Sequence, residues 1–231
     1  MSKKSVVFIG GHEIGRFKFL LLSLLMLIGL RPLLDEWIGE RIWADMSADI
    51  FFACALMSGL HAISEQPRQL RLSLLLVGAI TILSALHYTM RIPIIDKAKL
   101  IVSAVFLVQM LTMILTHIQK ENEVTIDLIM ASACAYILLG IVWAYAYFML
   151  QIFHPGSFNI SENVSDDLVD FNYYSFVTLT TVGYGDILAI TRAARSLSIF
   201  EAITGQLYLA IMISRLVGLY SSQSRISPEK K

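Results

Sequence analysis

Six stretches of this sequence are each apolar for close to twenty residues, and their spacing limits what the chain can fold into. They run about Phe17–Leu34, Ser47–Ser64, Leu70–Thr89, Ala98–Ile118, Ile126–Phe153 and Ala193–Tyr220. A helix rises about 1.5 Å per residue, so ~20 such residues cross the ~30 Å hydrocarbon core of a bilayer. Hydrophobic residues make up 56% of the chain and charged residues 16%, whereas soluble domains hold about 45–50% and about 25%. These features predict an all-α membrane protein with six transmembrane helices. Lys18 and Arg31 fall inside the first run and must reach its two interfaces. No small-residue cleavage pattern follows that run, so it is expected to remain as a helix.

The formal net charge is zero, which gives no reason to expect a nucleic-acid partner. Cys54 and Cys134 each sit within an apolar run and read as small buried hydrophobes. Lysine and arginine lean modestly towards the two ends and the loops that share their side, which favours cytoplasmic termini. The linker Pro155–Asp170 carries Glu162, Asp166, Asp167 and Asp170, a composition suited to an outer surface that attracts cations. The tripeptides at Asn159 and Asn163 match glycosylation sequons and are read as chance.

Between the fifth and sixth runs stands Thr178-Leu179-Thr180-Thr181-Val182-Gly183-Tyr184-Gly185-Asp186. This string resembles the potassium-channel signature, and the resemblance extends over about Ile126–Ser221. It implies a re-entrant pore helix and selectivity filter between helices 5 and 6, assembled as a homotetramer because one strand per chain cannot surround an ion. A dehydrated potassium ion needs a cage of oxygens, which backbone carbonyls can supply. The carbonyls of one strand all point inward only if successive peptides alternate in hand. Gly183 and Gly185 adopt positive φ without steric cost. By resemblance, K+ is bound at Thr181, Val182, Gly183 and Tyr184, with the Thr181 hydroxyl completing the innermost site and Gly185 closing the filter.

The same resemblance assigns supporting positions. The pore helix is expected over about Asp166–Thr180, with Ser165 as N-cap and Asp166 and Asp167 in its first turn. Thr180 closes that helix. Tyr173 and Tyr174 stand where the family places an aromatic pair that braces Tyr184; plain interfacial anchoring is the alternative. Val177 occupies a position where some relatives pair a glutamate with the filter aspartate, so Asp186 needs another partner. Ile187-Leu188-Ala189-Ile190 replaces the proline many relatives carry, which leaves the shape of the outer mouth open. Gly205 is a gating-hinge candidate, or else permits close helix packing. Glu201 is an intramembrane carboxylate. It is expected to hydrogen-bond behind the filter to Ser175 or Thr178, structurally or as a proton sensor, and Gln206 invites the same reading.

The chain thus divides into a cytoplasmic N-terminus (1–16), a four-helix peripheral domain (17–121), a pore domain (122–221) and a short cytoplasmic tail (222–231). No sensor domain fits in that tail. The fourth run carries no charge from Ile101 to Thr116, while a voltage sensor needs several, so strong voltage gating is not expected. His61, His87 and His117 are read as packing residues, and the Gly10-Gly11 pair is too weak a signal for a phosphate loop. The expected function is passive conduction of K+ across the cell membrane by a multi-pass protein. No cofactor is expected beyond permeant K+ ions, no partner beyond lipid and further copies of the chain, and no enzymatic activity. A non-selective cation channel or a non-conducting modulatory subunit are the alternatives. Neither the paired interrupted helices of a transporter nor a catalytic cluster is visible.

Overall fold

The computed structural model describes residues 8–9, 12–13, 16–38, 67–90, 92–160 and 168–226. It is mostly helical: α1 (Arg16–Ile38), α2 (Pro67–Met90), α3 (Pro93–Lys120), α4 (Ile126–Phe153), α5 (Leu168–Leu179) and α6 (Arg192–Ile226). Two small antiparallel sheets accompany them. β1 (Phe8–Ile9) pairs with β2 (His12–Glu13), and β3 (Phe158–Ile160) pairs with β4 (Ile187–Ala189). Ser47–Ser64, Cys54, His61, Gly10-Gly11, Asn163 and the expected cap Ser165 with Asp166 and Asp167 lie outside the described residues.

Among the described residues, three helices are long and apolar enough to cross a membrane: α3, α4 and α6 over Arg192–Gln223. The apolar stretches of the other two long helices, Phe17–Gly29 and Arg71–His87, are shorter. The helix boundaries have local causes. Pro93 opens α3, where its missing N–H costs no hydrogen bond, and Asp96 stands in the first turn. The Thr125 hydroxyl caps α4 by accepting from Leu128 N at 3.1 Å. Beyond Phe153 the chain turns through Pro155 and Gly156, whose φ is 82°. One boundary differs from expectation. No proline or glycine stops the last helix at Tyr220, and α6 continues to Ile226, into the expected tail.

Helices α1, α3 and α4 share one core, formed by Phe17, Leu20 and Leu24 with Leu107, Ile114, Ile118, Leu128 and Leu138. In lipid the driving force for such contact is close packing. The buried Ala131, Cys134 and Ala135 of α4 supply the small side chains that let backbones approach. Phe17 N reaches Asp127 Oδ1 at 3.3 Å, and Cys134 Sγ lies 3.8 Å from Phe17 O. A second cluster joins Tyr147, Phe158, Phe171, Tyr174, Ile187 and Ala194. It seats β3 and β4 on the ends of α4, α5 and α6.

At the opposite end, Arg215 of α6 reaches across to α3. Its Nη2 lies 2.9, 3.0 and 2.8 Å from the carbonyl oxygens of Ile118, Gln119 and Glu121. These carbonyls belong to the helix end that has no intrahelical donors and carries partial negative charge. Arg215 was not singled out from the sequence, where it is one charge in an apolar run. Arg215→Ala is expected to lower stability by about 1–3 kcal/mol, since a charged donor is lost from partly buried acceptors. The measurement is the thermal midpoint of the purified protein. Arg215→Lys recovers only part of the loss, because the ammonium is more strongly hydrated than the guanidinium and costs more to desolvate against these carbonyls.

Candidate functional site

The site is built where α5, of 12 residues, wedges between α4 and α6. Two glycines permit that approach. A Cβ at Gly140 would stand 2.8 Å from the Phe176 ring, and one at Gly205 would stand 2.8 Å from the Leu179 carbonyl oxygen. The space at Gly205 is therefore filled by the end of α5, while α6 passes through this position as an unbroken helix. Close packing alone accounts for glycine there.

Beyond Leu179 the chain turns and runs back to β4. Thr180 N donates to Phe176 O at 3.0 Å and Thr181 N to Thr178 O at 3.0 Å. Val182 N and Gly183 N both reach Val177 O, at 2.9 and 3.3 Å. The backbone then alternates in hand: φ is 61° at Thr181, 61° at Gly183 and 82° at Gly185, and Val182 and Tyr184 are not in that region. Glycine bears this conformation freely, whereas a residue such as Thr181 carries a cost of roughly 1–2 kcal/mol. Among the described residues, no donor reaches the carbonyls of Thr181, Val182, Gly183 or Tyr184. All four residues are exposed in the single chain, Val182 at 54% and Tyr184 at 72%.

Between α4, α5 and α6 lies Glu201, which is 0% exposed. Of the two hydroxyls expected to meet it, Ser175 stands 2.5 Å from Oε1. Its second partner, Tyr147 of α4, donates to Oε2 at 2.5 Å and was not foreseen. Trp143 Nε1 and Thr204 Oγ1 add a second α4–α6 contact at 3.3 Å.

The two adjacent tyrosines separate. Tyr173 stacks on Tyr184, with centroids 6.4 Å apart and rings at 1°. Its hydroxyl donates to Asp186 Oδ2 at 2.6 Å, so Asp186 finds its partner here with Val177 in place of a glutamate. Tyr174 points the other way, meeting Ser198 at 2.7 Å and packing edge-on to Tyr147 and Phe158. The segment after Asp186 forms a strand because no proline removes an N–H from it. Phe158 pairs with Ala189 and Ile160 with Ile187, Ile190 N donates to Ser157 O at 2.9 Å, and Arg195 Nε donates to Ala189 O at 3.1 Å.

The Tyr173 hydrogen bond holds the Asp186 carboxyl below its ordinary value of 3.8, and the same bond pushes the Tyr173 hydroxyl up to about 12. The sign follows from the lowered value: the pair stabilises the fold above the ordinary aspartate range and loses that contribution as pH falls through the folded-state value. Tyr173→Phe is therefore expected to be less stable than the parent at neutral pH. Thermal midpoints across an acid series should begin to approach each other near pH 3.8 and converge once the pH has fallen through the lower folded-state value. A gap that persists in acid would assign the effect to packing instead.

Residues 133–222 match the family described as ion channel. Two pore potassium channel c of Oryza sativa subsp. japonica is 34% identical over 83 residues, 36% of this chain and 17% of that protein. Two-pore potassium channel 4 of Arabidopsis thaliana is 31% identical over 102 residues, 44% of this chain and 33% of that protein. Protein LctB of Bacillus caldotenax is 29% identical over 122 residues, 51% of this chain and 90% of that protein. The chain thus spans a third or less of the two plant proteins and most of the bacterial one. No solved structure matches it. Residues 133–222 of this multi-pass membrane chain are thus similar to the ion-channel family and, over the stretches matched, to potassium-channel proteins.

Proposed function

We propose that four copies of this chain surround a central pathway that conducts potassium passively and largely excludes sodium. The observation that carries this reading is the alternating backbone of Thr181–Gly185, with four carbonyls that no donor among the described residues engages. Such carbonyls can replace the hydration shell of a potassium ion at Thr181, Val182, Gly183 and Tyr184, with the Thr181 hydroxyl at the innermost position. One strand reaches an ion from one side only, so four strands are needed. The exposed Val182 and Tyr184 then lie against neighbouring copies.

In this assembly α5 re-enters the membrane as the pore helix and aims its carbonyl end, at Thr180, towards the pathway, where its partial negative charge favours a cation. Asp186 and Tyr173 steady the outer mouth, Tyr174 fixes α5 to α6, and Glu201 braces the filter from behind. Residues 122–221 are the pore domain. Residues 17–121 form a four-helix peripheral domain that completes six spans in the cell membrane, with residues 1–16 and 222–231 cytoplasmic. The uncharged centre of α3, Ile101–Thr116, argues against strong voltage gating. Gly205 serves first as a packing notch for Leu179. A hinge there would require the end of α5 to move.

Purified protein in liposomes under a potassium gradient is expected to pass potassium and largely exclude sodium. Equal permeability would overturn the selective reading. Gly183→Ala places a Cβ on a φ of 61° and is expected to abolish potassium flux or its discrimination against sodium. Unchanged discrimination would remove the assignment of the filter.

A further inference from the structure

Glu201 meets a chain of hydroxyls, and counting their protons fixes its charge. Ser175 Oγ lies 2.7 Å from the Gly140 carbonyl oxygen and 2.5 Å from Glu201 Oε1. A serine hydroxyl has one proton, while a carbonyl oxygen and an ionised carboxylate only accept. Both contacts are hydrogen bonds only if Glu201 supplies a proton to one of them. Tyr147 completes the arrangement from the other side, its hydroxyl 2.5 Å from Oε2.

From this geometry we infer that Glu201 is a neutral carboxylic acid whose proton is part of the brace between α4, α5 and α6. Its Oε1–H donates to Ser175 Oγ, Ser175 donates to Gly140 O, and Tyr147 donates to Oε2. Three protons serve three hydrogen bonds, each used once. An ionised Glu201 would leave two acceptors competing for the Ser175 proton.

The surroundings agree. Glu201 is fully buried. The titratable groups facing it are Tyr136 and Tyr147 from α4 and Tyr174 from α5, with the Ser198 hydroxyl on its own helix. None of them carries positive charge, and no basic side chain pairs with Glu201 among the described residues. A buried carboxylate without a counter-charge is far more costly than the neutral acid. The neutral acid ties α4, α5 and α6 together one turn before the Gly205–Leu179 contact. Glu201 is thus a positioning residue, and only its relation to conduction rests on the proposed potassium pathway.

The test is infrared difference spectroscopy on the full chain in lipid at neutral pH, comparing the parent with Glu201→Gln. The expected result is loss of one protonated-carboxyl C=O band per chain in the variant, with no loss of carboxylate bands. Loss of the paired carboxylate stretches instead would overturn the inference. In parallel, Glu201→Gln is expected to keep the parent thermal midpoint, because its amide can donate to Ser175 and accept from Tyr147, while Glu201→Ala falls. A glutamine variant as unstable as alanine would also overturn it. Both readouts are independent of ion flux, so failure of the potassium reading would leave this result intact.

Discussion

A backbone that alternates in hand, as Thr181–Gly185 does, can form neither helix nor sheet, and the helices around it hold such a segment. Here the amide groups are met from one side: Val177 O accepts from both Val182 and Gly183. The carbonyls of Thr181–Tyr184 are left without donors from the described residues. The segment has little to fix it from within, and Thr181 sits at a φ of 61° against its own preference. Its geometry must be imposed from outside.

Three contacts impose it. The end of α5 is seated against Gly140 and Gly205, where no side chain could fit without displacing the Phe176 ring or the Leu179 backbone. The Ser175–Glu201–Tyr147 network ties that helix to α4 and α6. At the other end of the strand, Tyr173 stacks on Tyr184 and holds Asp186, and the β3–β4 pair closes the return to α6. Far from these, Arg215 secures α6 to the end of α3. The C-terminal half of α6 and the end of α3 are therefore fixed relative to each other by a bond between a side chain and a helix terminus.

Local signals carried part of this into the sequence. The run Ile126–Phe153 became α4 with the same bounds, since a threonine cap precedes it and Pro155 and Gly156 follow. Contacts between distant residues were not legible in the same way. Tyr147 and Glu201 are 54 positions apart and Arg215 and Ile118 are 97 apart; periodicity says nothing about which faces will meet. Tyr173 and Tyr174 are neighbours in sequence but lie about 100° apart around a helix, so of the pair expected to brace Tyr184 only Tyr173 meets it, while Tyr174 meets Ser198. The pairing of Ile187–Ala189 with Phe158–Ile160 was also missed, because three-residue strands carry too little alternation to be seen. Arg215 did carry a signal, as a charge inside a spanning run.

The claim on which the account turns is that these carbonyls select potassium. The most direct measurement is the reversal potential of the reconstituted channel in a planar bilayer with potassium on one side and sodium on the other, taken over a range of voltages. The account predicts a reversal close to the potassium equilibrium potential, with no steep voltage dependence of opening. A reversal near zero would contradict it.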